Sequence, residues 1–308
     1  VTIIDLRGAK YMFVSVILST YESPDWLAKV VWGYAAQTHR DFELVIADDG
    51  SSLRTAECIG YLRHATKLSL RHVWHAKHGF RKCRILNRAI LAAAGDYLIF
   101  SDGDCIPRRD FIAQHVQMAR SGRMLSGGRV KLPRNLSEQI SVGDILSGRA
   151  TDASWLIAQG YRKRGKLLRL AAQGRMAAVL DAMTTTRATF NGHNTSVWKE
   201  DVLRVNGFDE RLGYGGLDRE LGERLVNAGI RPQQIRYRAL CVHLDHSQDY
   251  IDSAGLAYNW QIREDNNRSK SRWTPYGIDR RTGPDDASTK DMVLDAAPVE
   301  TDELVGAV

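Results

Sequence analysis

The chain has 308 residues, 44% of them hydrophobic, enough for one substantial α/β core with an ordinary 26% of charged residues. No apolar run approaches the roughly 18–20 residues needed to span a bilayer, which argues against an integral membrane protein. The net charge of +7 favours anionic partners, and the four cysteines form no CxxC pair, which argues against a zinc knuckle or a thioredoxin-type site. Scattered thiols and a start, VTIIDLRGAKYMFVSVILS, without a secretory pattern lead to the expectation of a cytoplasmic protein.

FVSVILST (13–20) is β-branched and apolar and reads as a buried strand. SPDWLAKVVWGYAAQT (23–38) reads as a helix with a Ser or Asp cap and proline in its first turn. FELVIADDGS (42–51) is a second strand that ends in acids and a turn. A helix is expected over 54–65, a weaker strand over 68–76, and a clear helix over 83–95 stopped by Gly95. DYLIFSD (96–102) is a further strand, followed by a helix over 107–122. Four alternations of strand and helix predict an α/β fold, a mostly parallel sheet covered by helices.

The second half is less regular. One strand is expected over 124–133 and helical chain over 135–183, within which 161–176 is basic with interspersed leucines. Residues 190–208 read as turn-rich with a short helix, 218–229 as a capped helix, and 237–246 as a strand ending in histidines. The division expected is 1–130 as a regular α/β half, 131–280 as a less regular half of the same domain, and 281–308 as a flexible acidic tail.

Both acid clusters, Asp48-Asp49 and Asp102 to Asp104, fall at carboxyl ends of expected strands, the edge where ligands collect in open α/β sheets. No GxGxxG turn follows the first strand, so a dinucleotide fingerprint is absent. Asp102-Gly103-Asp104 reads either as a turn whose carboxylates bond to local amides or as a site for a hard divalent cation, with Gly103 allowing close approach of a ligand. Asp49 can accept from a base N–H, and Tyr21 can stack on a ring. Arg81 and Arg84 open a helix beside this edge and suit a phosphate pocket, or are solvated charges.

In LGYGGLDRE (212–220), Gly215 and Gly216 beside Tyr214 suit a sugar cleft, since they admit a ring next to a stacking face. Asp218 follows in the first turn of a helix, where a carboxylate is stabilised; it is a helix cap or a proton acceptor. His243 and His246 lie three apart; either completes a cation shell or is structural.

These stretches together resemble a known family. VSVILSTYESPDWL, FELVIADDGS and GFRKCRILNRAILAAAGDYLIFSDGDCIP resemble the nucleotide-sugar domain of family 2 glycosyltransferases, of the GT-A fold. FNGHNTSVWKEDVLRVNGFDERLGYGGLDRELGERLVNAG resembles the C-terminal segment shared by bacterial chondroitin-type polymerases and animal β-1,4-galactosyltransferases. The resemblance runs from about 13 to 248, and toward 280 through the NW…R…GIDR region.

The resemblance implies an inverting, metal-dependent transferase that uses Mn²⁺ or Mg²⁺ and a UDP-sugar, with 1–130 as the nucleotide-sugar-binding half and 131–280 as the acceptor-binding and catalytic half of the same domain. It places Asp49 on the uracil, with Tyr21 and Ser19 on the nucleotide side, and Arg81 near the nucleotide. Asp102 and Gly103 lie toward the ribose, and Asp104, His246 and His243 on the metal. Tyr214, Gly215 and Gly216 lie at the donor–acceptor junction, and Asp218 is the catalytic base. One departure is Leu217, where the family's GGED pattern has glutamate, and it leaves the sugar unassigned. The implied acceptor is a saccharide or glycolipid in cell-surface polysaccharide or lipopolysaccharide synthesis. The 161–176 stretch reads either as a contact with an anionic membrane or as a solvated helix face. Rival readings are a nucleotidyltransferase and a non-catalytic nucleotide-sugar or carbohydrate-binding relative; no nucleic-acid reader motif is present.

Overall fold

The computed structural model describes residues 12–246, 253–279 and 292–294. The first half alternates β1 (Val14–Thr20), α1 (Pro24–Ala35), β2 (Phe42–Asp48), α2 (Leu53–Thr66), β3 (Leu70–Trp74), α3 (Lys82–Ala92) and β4 (Tyr97–Asp102). Then come β5 (Cys105–Pro107), α4 (Phe111–Met118), β6 (Arg123–Ser126) and β7 (Gly128–Lys131). A run of short helices follows: α5 (Arg134–Gln139), α6 (Val142–Leu146), a 3₁₀ turn (Arg149–Thr151), α7 (Ala153–Ala158), α8 (Arg164–Ala171) and α9 (Gly174–Met183). The chain closes with β8 (Thr195–Trp198), α10 (Lys199–Arg204), α11 (Leu217–Asn227), β9 (Arg231–Gln234), β10 (Leu240–His243), α12 (Ser253–Arg268) and β11 (Met292–Leu294).

Among the described residues the main sheet has eight strands in the order β11-β3-β2-β1-β4-β8-β6-β9, and β5-β10-β7 form a small second sheet. The β3-β2-β1-β4 centre is parallel, as four strand–helix alternations require. These strands are buried on both faces, so alternate residues enter two cores. Val14, Val16, Leu18, Leu44 and Ile46 pack on the α1–α2 side. Ile17, Val45, Ala47, Leu98 and Phe100 pack toward α3 and α11. That two-sided burial explains why β1, β2 and β4 read as continuous apolar runs.

Several expectations need correction. The single strand expected over 124–133 is two strands in different sheets, because the chain turns at Gly127. A Cβ there would stand 2.0 Å from Asn194 Oδ1, so only glycine fits beneath that buried amide. The helix expected over 107–122 begins only at Phe111, since Cys105–Pro107 are drawn into β5 by β10. The basic stretch 161–176 is interrupted between α8 and α9. The polar edge strand β9 has no apolar pattern to betray it and was not expected. The tail expected over 281–308 lies outside the described residues apart from β11, which pairs antiparallel with β3. Among the described residues no helix is long and apolar enough to cross a membrane.

Candidate active site

Register builds one end of the site. Thr20 stands opposite Asp48, and Ser19 opposite Asp102, so the carboxyl ends of β1, β2 and β4 finish level. Asp49 and Asp102 therefore share one sheet edge although they are far apart in sequence. Gly103 donates its N–H to Ser19 O at 2.8 Å, and a Cβ there would lie 3.0 Å from the same oxygen. The space that glycine leaves is taken by β1 rather than left open.

Asp49 is buried. Its Oδ1 pairs with His75 Nε2 at 2.8 Å, and its Oδ2 accepts from Lys77 Nζ at 3.1 Å and from the Arg81 backbone N–H at 3.2 Å. Burial opposes the charge, but these donors outweigh it and hold the carboxyl below its ordinary value. Lys77 Nζ also sits 3.5 Å above the ring centre of half-exposed Tyr21. The Arg81 guanidinium donates to Ala76 O at 2.7 Å.

Asp102 accepts from Ser19 Oγ at 2.7 Å and from Lys82 Nζ at 2.8 Å. Burial pushes its pKa up, yet Lys82 and Ser19 together drive it far below the ordinary range. Lys82 is in turn held protonated: Asp102 and Asp218 outweigh the burial that opposes its charge.

The second sheet joins the other half to this edge. β10 runs antiparallel to β5 with His243 opposite Cys105, and Leu244 N–H donates to Asp104 O at 2.9 Å. This pairing carries two histidines onto Asp104. His246 Nε2 lies 3.1 Å and His243 Nε2 3.6 Å from Asp104 Oδ2. One ligand atom from each residue falls within 4.8 Å of the others. A carboxylate with two imidazoles can hold a first-row divalent ion, and of the two metals expected this mixed oxygen–nitrogen set suits Mn²⁺ better than the more strictly oxygen-seeking Mg²⁺. Burial lowers the proton affinity of His243, which favours the neutral form that a metal needs.

Asp218 lies in the first turn of α11, behind Gly215 and Gly216, whose φ values of +91° and +86° favour glycine. Asn259 of α12 fastens this loop, accepting from Gly213 N–H and donating to the carbonyls of Tyr214 and Gly215. The Tyr214 ring meets Phe80 edge-on at 6.1 Å. Burial raises the Asp218 pKa, Lys82 pulls it down and Asp102 pushes it up, and the Gly192 N–H offers a hydrogen bond. Its Oδ1 has no hydrogen-bond partner. A Cβ on Gly192 would stand 2.8 Å from both oxygens, so that glycine is what lets the carboxylate sit there.

Leu217 points the other way. It is 5% exposed and packs with Leu212, Leu221 and Leu225 in the core under α11. The structure thus gathers Ser19, Asp102, Gly103, Asp104, His243 and His246 at one edge, with Asp218 coupled to it through Lys82. Asp49, Tyr21 and Arg81 form a neighbouring group. Lys82, His75, Lys77, Gly192, His193 and Asn259 were not singled out from sequence. His193, within electrostatic reach of Asp102 and Asp104, has its pKa pushed down to about 3, first by burial and then by Arg129. Lys82 alone carried a faint signal, as the middle of the basic run Arg81 to Arg84 opening α3.

Comparison with known proteins is consistent with this geometry. Residues 15–139 match the family described as Glycosyl transferase family 2, and residues 176–247 match the N-terminal domain of galactosyltransferase. Validoxylamine A glucosyltransferase of Streptomyces hygroscopicus subsp. jinggangensis is 27% identical over 254 residues, covering 77% of this chain and 56% of that protein. Chondroitin synthase of Escherichia coli is 23% identical over 240 residues, 70% of this chain and 32% of that protein. The chain thus spans about half, or less, of the length of these relatives.

Among solved structures, TarS 1-349 of S. aureus in complex with UDP-GlcNAc aligns with a TM-score of 0.57 at 14% identity, covering 84% of this chain and 69% of that one. The mannosyltransferase PcManGT from Pyrobaculum calidifontis, in complex with GDP-Man and Mn²⁺, aligns with a TM-score of 0.52 at 21% identity, covering 85% and 63%. At such identities the likeness concerns the fold. The solved structures give the chain a GT-A-like fold, and the family matches mark residues 15–139 as a family 2 glycosyltransferase region followed by a C-terminal part like that of galactosyltransferases and chondroitin synthase.

Proposed function

We propose that the chain transfers a sugar from a UDP-sugar to a hydroxyl of a saccharide or glycolipid, with inversion at the anomeric carbon and Asp218 as the base. The observation that carries this reading is the Asp218 carboxylate: one oxygen is unpartnered, and burial, with Asp102, raises its proton affinity against the opposing pull of Lys82. A base of that kind accepts a proton near neutral pH better than an ordinary carboxylate does.

Asp218 takes the proton of the acceptor hydroxyl. The acceptor oxygen forms its bond to the anomeric carbon as the bond from that carbon to the diphosphate breaks, and the electron pair leaves with the nucleotide. Asp104, His243 and His246 are the residues that would hold a divalent cation, whose chemistry is to neutralise the departing diphosphate. Lys82 adds a fixed positive charge between Asp102 and Asp218. Tyr214, on its glycine loop, faces the junction of the two substrates.

Support for uridine comes from Asp49. A carboxylate has about four acceptor positions, and His75, Lys77 and Arg81 use three, which leaves one for a base N–H. Tyr21, half-exposed and with Lys77 over one ring face, is the aromatic residue that would stack on the base. Both uridine and guanosine donors occur among the fold relatives, so the donor is tested directly. A panel of nucleotide sugars is assayed for Mn²⁺-dependent hydrolysis and transfer by the wild type and by Asp218→Asn. The reading expects a UDP-sugar to be consumed, and the Asn variant to lose about 10²–10⁴-fold in turnover while still binding UDP. An Asn variant with full turnover removes Asp218 as the base, and consumption of GDP-sugars alone removes the uridine assignment.

A further inference from the structure

Helix α9 has its amphipathicity reversed. Met176, Val179 and Met183 recur at i, i+3 and i+7, so they share one face, and they are 49%, 55% and 72% exposed. The opposite face is the one turned to the protein. It carries Ala177, 1% exposed, and Asp181, whose Oδ1 accepts from Tyr237 N–H at 2.8 Å and whose Oδ2 lies 3.5 Å from Arg238 Nε. A surface helix ordinarily turns its apolar stripe inward and its acid outward. Here the acid is the anchor and the large apolar side chains meet solvent.

The flanking charge says what would cover such a face. Residues 161–176 carry six basic residues and no acid. Arg162, Lys163, Lys166 and Arg175 are exposed, as is the apolar Leu168 of α8 at 48%. The one acid of α9, Asp181, is turned away. A second copy of the chain meeting this face about a two-fold axis would set basic surface against basic surface.

We propose that the outer face of α9, with the basic stretch that leads into it, docks on an anionic lipid bilayer. The apolar residues enter the headgroup–acyl boundary and the lysines and arginines meet lipid phosphates. Nine positions after Met183 the chain reaches Gly192, which abuts Asp218, so a short segment joins the docking face to the proposed base, and a lipid-linked acceptor is the substrate that such docking would serve. That last link rests on the reading given under Proposed function; the docking itself does not.

The test is co-sedimentation of the whole chain with phosphatidylcholine vesicles, with and without about 30 mol% phosphatidylglycerol, in low and high salt. The expected result is pelleting with the anionic vesicles only, weakened by salt. Met176→Glu/Val179→Glu/Met183→Glu, and the single Met183→Glu as the milder variant, should lower the partition coefficient at least tenfold for the triple. Lys163→Glu/Lys166→Glu should remove the preference for anionic lipid. Unchanged melting temperature and nucleotide-sugar hydrolysis show that the variants are folded. No pelleting of the wild type, or pelleting indifferent to both sets of substitutions, overturns the proposal. So does a wild-type dimer in solution that the triple variant converts to monomer without a change in pelleting. Because pelleting needs no sugar transfer, its failure leaves the catalytic reading standing, and loss of transfer with intact pelleting does the reverse.

Discussion

Lys82→Met probes the charge network most directly. The ammonium lies 2.8 Å from Asp102 Oδ1, with side-chain exposures of 23% and 24%. At an effective dielectric of 20, two unit charges that far apart attract by about 6 kcal/mol. Removing one partner of a buried pair costs about 3–5 kcal/mol, because the other charge is left behind. Partial exposure and the remaining Ser19 hydroxyl place this site at the low end, about 3 kcal/mol. For a domain of this size that is a fall of about 5–10 °C in melting temperature.

The paired Asp102 has a depressed pKa, so its stabilisation is present above the ordinary aspartate value, about 3.9, and is lost as pH falls through the folded value. Melting at pH 7 therefore reads the full effect. The same substitution removes the main influence that lowers the Asp218 pKa. Asp218 must be ionised to accept a proton, so the acid limb of the kcat/KM profile should move to higher pH. Lys82→Arg should restore the limb in part. Thermal melting and a pH–rate series read both quantities. A Met variant with wild-type melting and an unmoved acid limb would refute the idea that Lys82 links the two carboxylates.

Other expectations follow from the same geometry. Gly192→Ala places a methyl 2.8 Å from both Asp218 oxygens, so kcat should fall at least tenfold, about 1.4 kcal/mol in the barrier, with donor KM little changed. Asp104→Ala should weaken Mn²⁺-dependent UDP binding by at least tenfold in calorimetry, and leave metal-free binding nearly as it was. Mn²⁺ affinity should decline as pH is lowered, since His243 and His246 ligate only when neutral; a titration monitored at several pH values checks this. Arg224→Met leaves Glu220 charged at a position where both side chains are 0% exposed, and should cost about 3–5 kcal/mol in denaturant unfolding.

The parallel half of the fold was readable because its signals are local. β1, β2 and β4 are dominated by apolar residues, and Gly95 stops the chain after α3 at a point where a Cβ would strike Phe13 O at 2.7 Å. The second sheet was not readable in the same way. β5 is three residues long, and it exists only because β10 supplies a partner from more than a hundred positions away. β6 and β7 form an apparently continuous segment that only the buried Asn194 divides. In the site, the residue types alone left Asp104, His243, His246 and Asp218 with a structural and a chemical reading each, the family resemblance chose the chemical one, and the structure brings the first three together. His75 and Lys77 lacked any cue, and Lys82 had only the basic run at the start of α3: the carboxylates they pair with lie 20 to 28 positions away, and a spacing like that has no periodicity to detect.

The antiparallel strand β8 binds β4 on one side and β6 on the other, so a strand from the later sequence is wedged into the sheet built by the earlier one. A chimera that exchanged only the first 130 residues with those of a relative would leave β4 bordered by a foreign neighbour and Gly127 facing an amide it had not evolved against. Donor preference in this architecture is therefore not a cassette. Any exchange intended to change the sugar must bring β8 and the Asn191–Asn194 turn along with it.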